Sequence, residues 1–235
     1  MKLDILAFGA HPDDVELSCS GTILKHISQG KKVGIIDLTR GELGTRGSAE
    51  IRIRESSRAA KILGVSVREN MKFKDGFFLN DKKHQIEIIK KIRQYQPEIV
   101  LANAPSDRHP DHGRSSQLIS DACFYSGLVK IVTGKNQKAW RPKAVYFYIQ
   151  DRYIKPDFVV DISEFMEKKT ESIFAFSSQF YKAGSNEPET PISSPYFIEF
   201  VKSRNSGFGR EIGVRYAEGF VANHRVGVHS LFDLL

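Results

Sequence analysis

Cysteine is almost missing from this chain: among 235 residues there are only Cys19 and Cys123. Two cysteines cannot make a disulfide framework, so a reducing compartment is expected and both read as small buried residues. Long apolar runs are lacking too. None approaches the ~20 residues that a membrane helix needs. The opening Met1-Lys2-Leu3-Asp4 leads straight into a strand-like run without a leader's apolar core, so a cytoplasmic location without a membrane partner is expected. A dense basic run with interleaved aromatics is also absent. The net charge of +7 is spread over helix faces such as Lys82-Lys83 and Lys90-Lys91, which speaks against a nucleic-acid partner. Such a surface would instead steer small anions. The glycine fingerprint of dinucleotide enzymes is missing after the first strand, where Phe8-Gly9-Ala10-His11 stands. Repeats and linkers are missing as well, and the expectation is a single domain over residues 1–235. With 40% hydrophobic residues the chain can bury a full core.

What is present alternates. Residues 3–9 form a short, continuously apolar strand pattern, and residues 15–29 a helical one with Gly30 at its end. Residues 33–39 are a second strand, followed by the glycine-rich Arg40-Gly41-Glu42-Leu43-Gly44-Thr45-Arg46-Gly47. A helix from about Ala49 to Leu63 stops at Gly64, and residues 66–73 suit a third strand. Ile86, Ile89 and Ile92 mark a helix ended by Pro97, and residues 99–102 are a fourth strand. Residues 144–148 and 158–162 look like two more. Ser163 is expected to cap a helix running toward Phe180, residues 181–195 to form a mobile loop, and about 196–204 another helix. Strict alternation implies an α/β fold: a Rossmann-like open sheet, mostly parallel, with helices on both faces and the active site at the C-terminal strand ends.

The 3-2-1-4 strand order common in such sheets puts strands one and four side by side. The loop after strand one reads His11-Pro12-Asp13-Asp14, and the loop after strand four reads Arg108-His109-Pro110-Asp111-His112. Two His-Pro-Asp clusters at adjoining strand ends, too polar to be buried unpaired, suit a divalent cation. Adjacent carboxylates point in different directions, so Asp13 and Asp14 are expected to divide labour, one gripping metal and one left free to accept a proton. Taken singly, His11 would read as a structural histidine and Asp14 as a helix cap.

His-Pro-Asp-Asp after strand one, Thr39 to Thr45 after strand two, Arg52-x-x-Glu55 on the next helix and His-Pro-Asp-His after strand four resemble the LmbE/PIG-L family of zinc-dependent N-acetylglucosamine deacetylases. Tyr216-Ala217-Glu218-Gly219-Phe220 fits as well, so the resemblance spans almost the whole chain. It is nearest to the branch that deacetylates N-acetylglucosaminyl malate in bacillithiol synthesis. The resemblance implies metal ligands at His11, Asp14 and His112, a general base at Asp13, and an oxyanion donor at protonated His109. It leaves Asp111 as the residue that orients His109, or else as a plain helix cap. It further implies Zn2+, with Fe2+ open to the same donors, and a homo-oligomer.

Substrate contacts are read from position. Arg52 shares a helix face with Ser56, Ala59 and Leu63 and points inward, as a clamp on sugar hydroxyls or as the partner of Glu55 or another acid. Arg108 suits an anionic aglycone such as malate, or is a surface charge. Tyr196 either closes over the site or anchors the last helix. Glu42 either holds its loop or touches substrate. His224 and His229, near the C-terminal tail, read as surface residues, with reach to a neighbouring subunit as the alternative. The substrate is thus a small glycoconjugate, with a chitin disaccharide as the alternative, and a non-catalytic metal- or sugar-binding protein as the rival from another class.

Overall fold

The computed structural model describes residues 1–134, 137–180 and 186–234. Its strands are β1 (Ile5–Gly9), β2 (Val33–Thr39), β3 (Val67–Phe73), β4 (Ile99–Asn103), β5 (Ala144–Tyr148), β6 (Phe158–Asp161) and β7 (Ala217–Ala222). The helices are α1 (Asp14–Ser18), α2 (Ser20–Ser28), α3 (Ala49–Leu63), α4 (Lys82–Tyr95), α5 (Pro110–Ser126), α6 (Met166–Phe174) and α7 (Phe197–Glu211). One seven-stranded sheet runs β3-β2-β1-β4-β5-β7-β6. β1 pairs in parallel with β2 on one side and β4 on the other, and β3 and β5 extend the parallel set. β7 is antiparallel to both β5 and β6. The strand order therefore reverses between β1 and β4, where a ligand crevice forms in open α/β sheets.

β1 is apolar throughout because both of its faces are covered. Leu6 and Phe8 pack with Ile88, Ile89 and Ile92 of α4 and with Leu118, Ile119 and Ala122 of α5. Ile5 and Ala7 point the other way, onto Val15, Ile23, Leu24 and Leu63. That is the period-two alternation of a strand buried between helix layers. Local capping agrees with the residues: Ser48 accepts from the Ile51 amide at the start of α3, and Gly64 ends it with φ 76°. α2 ends on Gly30, φ 81°, with the Gly30 amide on Ile27 and the Lys31 amide on His26, the paired bonds of a left-handed helix terminus. Beside β2 the pairing of β3 shifts register, and Lys72 there takes φ 57°.

Several expectations are corrected. The helix expected over 15–29 breaks at Cys19, with φ −133° and ψ 13°. The break is held by distant polar groups. Glu218 of β7 accepts the Gly21 and Thr22 amides at 2.9 and 2.7 Å. Lys169 of α6 donates to the Glu16 and Leu17 carbonyls and to Glu218, and Arg204 donates to Leu17 O. Lys169 and Glu218 are fully buried, and burial pulls the ammonium below its ordinary pKa against the pull of Glu218. Ser163 caps no helix: it lies in a 3-10 turn, and its hydroxyl accepts from the Tyr216 amide. α7 runs to Glu211, well beyond 204. The loop expected over 181–195 falls partly outside the described residues, at 181–185; its later part holds a 3-10 turn, Pro191–Ser193.

Replacing Lys169 with Met leaves the Glu218 carboxylate buried without its cation. The expected cost is about 3–5 kcal/mol, since an uncompensated buried charge outweighs the gain of an apolar chain. Urea unfolding checks this: the midpoint should fall with little change in slope.

Candidate metal centre and active site

Most polar groups of the site hang from strands' C-terminal ends, with Arg52 added from α3. His11 to Asp14 follow β1, the glycine-rich loop follows β2, Asp75 follows β3, and Asn103 ends β4 with Asp107 to His112 beyond it. Gln150 follows β5. These loops surround a cleft of about 360 Å³ whose far wall is Leu43 to Thr45 and Glu189 to Ile192. The two His-Pro-Asp loops, separated by nearly a hundred positions, are in contact: His112 Nε2 stands 3.2 Å from Asp14 Oδ1, and His11 Nδ1 stands 3.6 Å from Asp14 Oδ2.

The outer nitrogen of each imidazole is already engaged. His11 Nε2 lies 3.0 Å from Asp75 Oδ1 and 3.4 Å from Asp111 Oδ2. His112 Nδ1 lies 2.7 Å from Asp107 Oδ2. A carboxylate on the outer nitrogen keeps a proton there and frees the lone pair of the inner one, the arrangement of metal-ligating histidines. Both inner nitrogens face Asp14. That carboxylate is itself aimed: Oδ2 accepts from the His11 amide and Asn103 Nδ2, and Oδ1 from Gln150 Nε2. Asn103 also accepts the Ala10 amide, tying the first loop to β4. The donor set thus fits a divalent cation at His11, Asp14 and His112.

His109 is near enough to be considered, since its ring nitrogen lies within 4.8 Å of donors on His11 and His112. Its hydrogen bond argues otherwise. His109 Nδ1 accepts the Asp111 amide at 3.2 Å, which puts the ring's proton on Nε2 and leaves no lone pair there for a cation. Burial and the neighbouring His11 and His112 lower its pKa. His109 therefore lines the cleft with its N–H on Nε2, and its surroundings work against the imidazolium that the resemblance implied.

Without a cation the charges balance internally. Burial opposes a proton on His112, but Asp14 and Asp107 hold its pKa up at about 9. Burial opposes charge on His11 also, and Asp111, Asp14 and Asp75 outweigh it. Burial works against the Asp14 carboxylate, yet His112 and His11 keep its pKa well below the usual range. Asp13 differs: burial pushes it up to about 7 against the attraction of Arg52.

The remaining expected residues separate. Asp111 does not orient His109 through its carboxylate, and it is no helix cap, because His109 occupies that position. Its carboxylate, fully buried, accepts from Gly76 and Arg114 and backs His11. Arg52 reaches the cleft with its guanidinium on Asp13, while Glu55 is taken by Ser177 and Ser178. Arg108 lines the cleft and pairs with Asp151. Tyr196 is 71% exposed and lines no part of the cleft; Thr190, Pro191 and Ile192 stand where it was expected. Glu42 holds its loop, accepting the Arg40 and Asp75 amides. Asp75, Asp107, Asn103 and Gln150 were not singled out in the sequence. The Asp75-Gly76 turn after β3 was the one usable signal, since turn residues at a strand's end share the site's edge.

Asp107→Ala removes the carboxylate behind His112 and is expected to weaken the binding of a divalent cation, with added zinc as the probe, about 10–100-fold. Asp14→Ala removes the carboxylate that both imidazoles face and should abolish stoichiometric binding of added zinc. Chelator competition with a chromogenic zinc indicator reads both.

Comparison with known proteins agrees with this geometry. Residues 6–123 match the family described as PIG-L, GlcNAc-PI de-N-acetylase. A diacetylchitobiose deacetylase from Thermococcus kodakarensis is 31% identical over 230 residues, covering 92% of this chain and 81% of its own. A probable N-acetyl-alpha-D-glucosaminyl L-malate deacetylase 2 from Bacillus anthracis is 27% identical, covering 75% of this chain and 81% of its own. The crystal structure of the conserved protein TT1542 from Thermus thermophilus superposes with a TM-score of 0.87 at 33% identity, over 97% of this chain and 98% of that one. The family match takes in both His-Pro-Asp loops, and the relatives extend the likeness across nearly all of the fold; this chain is a member of the PIG-L family.

Proposed function

We propose that this protein is a metal-dependent deacetylase that hydrolyses the acetamide of an N-acetylglucosamine conjugate, with N-acetylglucosaminyl malate as substrate. One observation carries the reading: Asp13, a buried carboxylate outside the ligand set, stands beside the His11–Asp14–His112 donors with His109 N–H facing the same cleft. A binding protein needs neither Asp13 nor His109; hydrolysis of an amide needs both.

A divalent ion held by His11, Asp14 and His112, zinc or iron(II), supplies Lewis-acid polarisation of the acetyl carbonyl and of the attacking water. Asp13 accepts a proton from that water as its oxygen bonds to the carbonyl carbon. The carbonyl electron pair moves onto oxygen, where His109 Nε2–H donates to it. As the tetrahedral centre collapses, Asp13 returns its proton to the departing nitrogen; the other water proton, carried on the new carboxyl group, passes to the amine, and acetate and the ammonium product leave. Asp13 suits this delivery better than His109, whose Nε2 proton is committed to the oxyanion and whose Nδ1 is occupied by the Asp111 amide.

The malate aglycone is supported by Arg108 at the cleft, a cation whose carboxylate partner Asp151 a substrate acid could replace. A chitin disaccharide is the second reading, favoured by the 31% identical relative that covers 92% of this chain. A primary-amine assay over N-acetylglucosaminides with and without malate separates them. In the first reading the malate conjugate is preferred and Arg108→Ala removes the preference; equal or better turnover of diacetylchitobiose supports the second. Release of amine from none of them would refute both.

Asp13→Ala should retain zinc and lose about 10²–10⁴-fold in turnover. His109→Ala should lose about 10²–10³-fold, the worth of one oxyanion donor. Steady-state amine release with zinc content measured on the same samples checks both.

A further inference from the structure

Arg52 is buried in the first turn of α3, yet it lines the cleft. Its Nη2 donates twice, to Asp13 Oδ2 at 2.7 Å and to the Pro12 carbonyl. One nitrogen thus grips both the Asp13 side chain and the peptide that precedes it. Asp13 needs holding: its φ of 109° with ψ −23° is a conformation that side-chain-bearing residues rarely adopt, and such backbone persists only where its surroundings impose it.

The glycine-rich loop is bare where the guanidinium passes. Gly41 has φ 65°, and a Cβ there would overlap Arg52 Nη1; a Cβ on Gly44 would sit 3.4 Å from the same atom. Glu55, the other acid one turn along α3, is engaged by Ser177 and Ser178 and leaves Arg52 to Asp13. Asp13 Oδ1, by contrast, accepts no hydrogen bond among the described residues. The guanidinium therefore ties down one carboxylate oxygen of a residue that lines the cleft and leaves the other without a donor among the described residues.

We infer that Arg52 is a positioning residue that sets the rotamer and backbone of Asp13, and that the glycine-rich loop is bare in order to admit it. The inference rests on the role of Asp13 proposed above. It is distinct from the reading of Arg52 as a clamp on sugar hydroxyls, because Nη2 is engaged twice by the protein itself.

The test is the kinetics of Arg52→Gln, alone and combined with Asp13→Asn, on zinc-loaded protein whose melting curve matches the parent. Misplacing the base is expected to lower kcat by about 100-fold, with KM within about twofold of the parent. In the Asp13→Asn background the same change should lower the residual rate by less than about threefold, since it acts through a group already disabled. A tenfold or greater rise in KM with kcat retained, or a full loss repeated in the double variant, would overturn the inference in favour of a substrate contact. Should Arg52→Gln not fold, Arg52→Lys serves, with the same pattern expected from a single remaining donor. A crystal structure of either variant gives a readout free of turnover: Asp13 should leave its present rotamer, and an unmoved carboxylate refutes the inference. Absence of amine release from the parent enzyme would instead fall on the proposed function, leaving the structural arm intact.

Discussion

Asp14 stands between two imidazoles that come from opposite sides of the sheet's reversal point, one from the loop after β1 and one from the loop after β4. Everything nearby serves that meeting. Asp75, Asp111 and Asp107 back the imidazoles, and Asn103 and Gln150 aim the carboxylate. Carboxylates gathered this closely would repel one another were the imidazoles not interleaved among them. The centre is thus a lattice of alternating sign, already assembled by the protein. A divalent cation held there would take the place of protons on nitrogens that already face Asp14, with little reorganisation of them.

Rigidity around the centre comes from buried polar nodes rather than from apolar packing alone. The break between α1 and α2 turns the chain just after Asp14, and its free amides and carbonyls are met by Glu218, Lys169 and Arg204 from three later elements. The last third of the chain therefore braces the first motif from behind. On the cleft side Arg52 does the same for Asp13. Two arginines and a lysine, each bonded to the backbone of residues 12–17, hold the loop that carries His11, Asp13 and Asp14.

Much of this was legible in the residues. β1, β2 and β4 declare themselves as short apolar runs because both faces are buried, and α3 is bounded by Ser48 and Gly64, whose side chain and φ close its ends. Alternation then fixed the strand order and brought His11 and His112 together on paper. The break at Cys19 could not be read, because the groups that stabilise it lie as far away as Glu218. β7 escaped notice for a related reason. Gly219 interrupts its pattern, and only the fold reveals the Phe208 ring and Ile149 pressed against that position. Asp107 and Asp75 belong to loops whose shape no periodicity records. Tyr196 misled because following a loop in sequence is not the same as facing what the loop covers.

The register shift where β3 meets β2 matters beyond local geometry. β3 is one rim of the sheet, and an uncovered rim offers unpaired amides and carbonyls to any passing strand. Here the rim carries Glu69 and Lys72, and the irregular backbone at Lys72 interrupts a flat template. At the opposite rim β6 is only four residues long. Both borders are thereby poor templates for adding a further strand to the sheet.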